Sequence, residues 1–132
     1  MTSKRALFIG RWQPFHKGHE WLINQKLTLG TPCLVAIRDI PPDEKNPLSA
    51  EQVKTILEKR YEDDDVLITI LPDIESVNWG RGVGYETLEH QPPADVGWVS
   101  ATKIRAAHSA GDESWKEYVP ESVQDLILKY LT

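Results

Sequence analysis

Short apolar runs alternate along this chain with longer segments whose apolar positions recur every three or four residues. The runs are residues 5–10 (RALFIG), 33–40 (CLVAIRDI) and 66–71 (VLITIL). Runs this short predict strands, and the nearly continuous 33–40 run predicts one buried on both faces. Gly10 closes the first and Pro72 ends the third. Residues 19–29 predict a helix with Trp21, Leu22, Leu27 and Leu29 as its apolar positions, stopped by Gly30 and Pro32. A second helix is predicted over 50–61. Ser49 opens it, Gln52 completes a capping box three residues on, and Val53, Ile56, Leu57 and Tyr61 form its inner stripe. Val96, Gly97, Trp98 and Val99 read as a last short strand, followed by a helix from Ser100 to about Ala110 with Gly111 as its stop. A closing helix over 121–131 carries the stripe Val123, Leu126, Ile127, Tyr130 and Leu131.

Strands alternating with amphipathic helices predict an α/β domain of three layers, α/β/α, around a parallel sheet of about 4–5 strands with right-handed crossovers. Ligands of such sheets lie beyond the C-terminal ends of the strands. Residues 10–19, 38–47 and 72–84 all fall at that edge, Asp39 and Asp73 among them. The proline-rich 41–47 stretch is a loop, and 62–65 is a solvated acidic turn. The glycine-rich stretch 79–85 is neither a P-loop nor a dinucleotide fingerprint. It reads as a plain surface loop or as a lid that brings Arg81 or Trp79 to a ligand.

Composition narrows the classes. The 132 residues suit one domain, 1–132, with one modest core. No apolar run reaches the roughly 20 residues of a membrane span. The N-terminal residues 1–5 show no secretory pattern, so a cytoplasmic location is expected. Cys33, the single cysteine, lies in an apolar run and reads as a core residue, with no disulfide or zinc cluster in prospect. A net charge of −5 argues against a nucleic-acid-coating protein. It leaves a nucleotide ligand open, because Arg11, Lys17, Arg38, Lys45, Arg81, Lys103 and Arg105 lie in or beside loops.

Two strand-to-helix junctions carry the chemistry. The first, residues 8–20, places His16, Lys17, Gly18 and His19 where a helix begins. A helix N-terminus has unpaired N–H groups and about half a positive charge, so it attracts phosphate. Two imidazoles three residues apart there face one bound anion. A transition-metal site would need further ligands that the sequence does not supply. The second junction packs Ser100, Thr102, Lys103 and Arg105 into one turn, a pattern suited to gripping a polyphosphate. No Ser/His/Asp set or carboxylate pair stands out.

The first junction fills the form G-x-(F/W)-x-P-x-H-x-G-H with Gly10, Trp12, Pro14, His16, Gly18 and His19. The second, Ser100 to Arg105, fills (I/V)-S-(G/S/T/A)-T-x-I-(R/K). Together they resemble the two signatures of the HxGH nucleotidyltransferase superfamily. The wording GRWQPFHKGH, the stretch Asn46, Pro47, Leu48, Ser49, Ala50 and the tail 115–123 are most similar to archaeal-type nicotinamide-nucleotide adenylyltransferases. In length the chain is closer to small cytidylyltransferases, and its 74–99 segment is abbreviated.

The resemblance implies a Rossmann-like fold and transfer of AMP or CMP from ATP or CTP to a phosphorylated small-molecule acceptor, with release of pyrophosphate. The acceptor is already an anion, so positioning and charge stabilisation suffice. His16, His19 and Arg105 are the implied catalytic residues. Gly10, Arg11, Trp12, Lys17, Gly18, Ser100, Thr102 and Lys103 are the implied nucleotide contacts. Mg²⁺ would enter bound to the phosphates, with no protein metal ligand named. A homo-oligomer is compatible with the family. The alternatives are cytidylyl transfer to a polyol phosphate or phosphonate, and a non-catalytic nucleotide-binding sensor.

Overall fold

The computed structural model describes residues 4–132; residues 1–3, part of the stretch read above for a secretory pattern, lie outside it. Three parallel strands form its sheet: β1 (Ala6–Gly10), β2 (Cys33–Asp39) and β3 (Val66–Pro72), in the order β1-β2-β3. The register sets Phe8 beside Val35 and Val35 beside Ile68. Side chains alternate across a strand, so Phe8, Cys33, Val35, Ile37, Ile68 and Ile70 share one face. That face is the core side, where Cys33 and Val35 are fully buried.

The two crossovers carry α1 (Lys17–Leu27) and α2 (Ala50–Arg60). An ion pair between Arg60 and Glu20 joins the two helices. The capping box at α2 forms as predicted: Ser49 Oγ accepts from Gln52 N, and Gln52 Oε1 accepts from Ser49 N. Val53, Ile56, Leu57 and Tyr61 are all buried, as the stripe requires. After β3 come α3 (Ala94–Gly97), α4 (Ala101–Ser109), two 3-10 helices (Glu113–Tyr118 and Glu121–Val123) and α5 (Gln124–Leu131). Ile104, Trp115, Val123 and Ile127 from this half join the same core.

Three expectations need correction. The described residues form three strands, not four or five. Residues 96–99 are not a strand: Val96 N and Gly97 N both bond to Pro93 O, winding the chain into the short α3 turn. In α1 the buried side chain is Ile23, while Leu29 lies past the helix end and is 75% exposed. Residues 73–93 hold no helix or strand, so β1 stays at the sheet's edge with Leu7 54% exposed, and across the sheet Leu67 is as exposed. The outer layer of a three-layer fold is not filled at those positions.

Tyr61 is buried, and its hydroxyl has no hydrogen-bond partner among the described residues. A buried orphan hydroxyl costs about 1–3 kcal/mol of desolvation. Tyr61→Phe should therefore raise the thermal midpoint by a few degrees, or about 1 kcal/mol. A comparable fall on a circular-dichroism melt would contradict this account.

Candidate active site

The loop from Gly10 to His16 folds back on the sheet edge it leaves. Trp12 adopts a left-handed φ of 55°. Non-glycine residues hold that conformation only where the surroundings over-determine it. Here the ring lies over Gly10, where an added Cβ would come within 2.9 Å of it, and Nε1 donates to Ala36 O at 3.2 Å. Trp12 and Phe15 are both buried, so they anchor the loop and do not offer their faces to a ligand.

His16 is the N-cap of α1. Its Nδ1 accepts from Gly18 N at 3.0 Å and from His19 N at 3.3 Å. His19 Nδ1 accepts in return from His16 N at 3.3 Å, completing a capping box built from two histidines. The rings stack with centroids 3.7 Å apart and planes 16° from parallel. A cap of this kind needs Nδ1 unprotonated on both rings, so each neutral imidazole carries its proton on Nε2. Neither Nε2 makes a hydrogen bond among the described residues. Neither is sealed off, since the only orphaned, fully buried side-chain polar atom among the described residues is Tyr61 Oη. Two N–H donors side by side are thus left for a ligand. Burial lowers the His16 pKa to about 4. Burial first, and then the His16 charge, hold His19 well below the usual imidazole range. Gly18 makes room for this pair, because a Cβ there would come within 2.8 Å of the His16 ring.

The start of α4 lies against this junction. Val99 O is 3.7 Å from where a Gly18 Cβ would stand. Ser100 caps α4 through Lys103 N at 3.2 Å. Arg105 reaches back to donate to Gln13 O at 2.7 Å and to Thr102 Oγ1 at 3.4 Å. The two junctions read separately from the sequence therefore meet. Lys103 turns aside, with Nζ bonded to Trp98 O and seated over the Trp98 ring. Lys17 is exposed at the head of α1, and Lys45 and Arg81 are exposed in loops.

Beside the junction lies a cleft of about 330 Å³ walled by Arg11, Arg38, Asp43, Asn46 and Asp73. Arg38 pairs with Asp73 at 2.7 Å, and this bond holds the Asp73 carboxyl below its ordinary range. Asp43 Oδ1 gathers Asn46 Nδ2, Asn46 N and Lys45 N, with the Asn46 side chain doing most to keep that carboxyl ionised. Arg11 makes no hydrogen bond or ion pair among the described residues and faces the cleft as an uncommitted cation. The junction itself offers two helix N-termini, two imidazole N–H donors and the Arg105 guanidinium, with Arg11 on the adjoining cleft, a set of groups suited to several phosphate oxygens. Sequence reasoning missed Gln13 and Asn46 as buried polar residues of this region. The partners of Gln13 are set by the fold, 35 and 92 residues away, whereas Asn46 bonds to Asp43 three residues back, a local turn that the loop sequence carries.

No protein-family model matches the chain. Among curated proteins, the nicotinamide-nucleotide adenylyltransferase of Thermoplasma acidophilum is 31% identical, covering 95% of this chain and 86% of its own length. The chain belongs to the nicotinamide-nucleotide adenylyltransferase family. The namesakes from Ignicoccus hospitalis and Caldivirga maquilingensis, 29% and 27% identical over 93% of the chain, agree. It is a nucleotidyltransferase by that membership. The Ignicoccus alignment runs over 155 positions yet takes up 93% of 132 residues, about 123, so roughly 30 positions have no counterpart here. That is about the size of one strand-and-helix unit.

His16 binds protons near pH 4 when folded and near its ordinary 6.5 when unfolded. As pH falls below 6.5 the unfolded chain takes up the proton first, so stability drains until about pH 4, by up to about 3 kcal/mol. His16→Asn keeps an acceptor for the two N–H groups and cannot titrate. Denaturant midpoints from pH 7 to 4 should fall less steeply in this variant than in the wild type. Parallel curves would refute the histidine cap as the titrating element.

Proposed function

We propose that the chain transfers the adenylyl group of ATP to nicotinamide mononucleotide, giving the dinucleotide and pyrophosphate. One observation carries this reading: the stacked, doubly capped His16 and His19, with both Nε2–H groups left over, beside the N-terminus of α4. The relatives, nicotinamide-nucleotide adenylyltransferases by name, suggest the acceptor and the base. An oxygen of the acceptor phosphate attacks the α-phosphorus of ATP in line. The bond from that phosphorus to the bridging oxygen breaks, and pyrophosphate leaves with the electron pair. The attacking oxygen is already anionic, so no base is needed and catalysis falls to positioning and electrostatics.

In this reading the two Nε2–H groups donate to the α-phosphoryl oxygens as negative charge builds there. Ser100, Thr102 and Arg105, at the head of α4, hold the β- and γ-phosphates. Lys17 and Lys103 add positive charge at the rims. The backbone of Gly10, Arg11 and Trp12 borders the nucleoside, and the Arg11 side chain meets the acceptor in the adjoining cleft. Among the described residues no group of three or more His, Cys, Asp or Glu forms a metal cage. The donors at the junction are nitrogens with their basic sites already used, which fit phosphate and not Mg²⁺. Mg²⁺ would therefore be held by the phosphates and water, where it neutralises charge. No helix of the described residues is long and apolar enough to cross a membrane. A cytoplasmic location accords with ATP as donor. Cytidylyl transfer to a polyol phosphate is the second reading, favoured by the roughly 30 positions the chain lacks.

Pyrophosphate release, measured with ATP or CTP against nicotinamide mononucleotide and a panel of polyol phosphates, separates the two. ATP with nicotinamide mononucleotide should give the highest kcat/KM. A preference for CTP would transfer the assignment to the second reading, and release with no pair would end both. His19→Gln retains a side chain able to complete the capping box. It should melt close to the wild type yet lose about 10²–10³ in kcat, the usual cost of one oxyanion donor. Near-normal turnover would remove His19 from the chemistry.

A further inference from the structure

Gln13 lies between the left-handed Trp12 and Pro14, and it is 5% exposed. Its amide pairs with Leu48 as a neighbouring strand would: Nε2 donates to Leu48 O at 2.8 Å, and Leu48 N donates to Oε1 at 2.9 Å. Leu48 is wholly buried and immediately precedes Ser49, the cap of α2. On its other side, the Gln13 carbonyl accepts from Arg105 Nη1 across 92 residues of chain. One residue thus joins the histidine loop, the cleft wall at 41–48 and the head of α4.

The amide is matched to this place. Both of its polar ends are used, and Leu48 has the complementary pair. A methionine would leave a buried N–H and C=O without partners, and an asparagine is one methylene too short. The Leu48 end holds the wall that contains Asp43, Lys45 and Asn46. Those residues are already tied to one another through Asp43, so the wall moves as a unit. The carbonyl end is backbone and remains whatever side chain stands at 13.

We propose that Gln13 is a positioning residue for nucleotidyl transfer. Its amide sets the depth of the 41–48 wall, and so of the acceptor, against His16 and His19, while its carbonyl aims Arg105 at the phosphates. This rests on the cleft being the acceptor site. Displacement of a reactant by about 1 Å can cost around 100-fold in rate, which is why a latch remote from the reacting atoms matters.

Gln13→Met and Gln13→Asn in the full chain test this with two measurements. Without substrate, trypsin should cut after Lys45 at least about tenfold faster than in the wild type, since cleavage follows local opening. Because the loosened wall lets water reach the Leu48 N–H and C=O, the thermal midpoint should stay within a few degrees. With ATP and nicotinamide mononucleotide varied separately, the acceptor KM should rise about tenfold or more, and the ATP KM less than about threefold. Cleavage at the wild-type rate overturns the latch. So does an equal rise in both KM values, or a loss of rate that tracks the thermal midpoint, because either reduces Gln13 to a folding residue. A wild-type chain inactive with every acceptor removes the acceptor assignment alone, and the cleavage rates then decide the latch.

Discussion

His16 Nδ1 accepts two backbone N–H groups at the start of α1, and much of the surrounding junction follows from that geometry. A serine or aspartate would cap the helix as well. An imidazole caps with one nitrogen and holds an N–H donor on the far side of the ring, farther from the helix end than an asparagine amide would. Once Nδ1 is committed, the tautomer is fixed and Nε2–H points elsewhere. The same logic applies to His19, whose Nδ1 returns the bond to His16 N. The two rings then stack, and a side chain at residue 18 would displace the nearer one. Glycine at 18 is thus required by the ring of His16, besides any approach of a ligand. The lowered basicity of both histidines is no handicap to hydrogen-bond donation, which needs the N–H and not the charge. A bound polyphosphate would shift the balance back towards protonation.

The parts legible in the sequence are the local ones. The stripe of α2 and its Ser49–Gln52 box depend on residues within two turns of each other, and both stand as read. The histidine pair and the Ser100–Arg105 turn were visible for the same reason. What the sequence did not disclose depends on distant partners. Gln13 looks like a filler position because its partners are 35 and 92 residues away. Residues 96–99 have the apolar character of a strand, yet no strand is there to receive them, and Pro93 offers a carbonyl that two following N–H groups can share. Leu29 and Ile23 cannot be ranked by spacing alone, because the helix ends before Leu29 and its last turn decides which side chain faces in.

The sheet's narrowness bears on the site less than its size suggests. Every group at the junction comes from the loop after β1, the head of α1, the loop after β2 or the head of α4. A strand-and-helix unit could be missing without disturbing any of them. What stands away from the junction is β1's free edge and the 73–93 segment, which has no regular structure and exposes Trp79 and Tyr85.

Two levels of specificity separate on this basis. In the proposed reading phosphate recognition rests on two helix N-termini, the imidazole and guanidinium donors beside them, and a loop held down by Trp12 and Phe15. Such features resist sequence change, because altering one leaves buried N–H groups unpaired. Acceptor recognition in the proposed reading rests on side chains of two loops, 41–48 and 73–93. The first is fastened to the histidine loop by a single amide, and the second is fastened by little. Changes there alter what is held against the α-phosphorus without altering how that phosphorus is held. A shortened member of the family can therefore keep its reaction class while the shape of its acceptor pocket drifts.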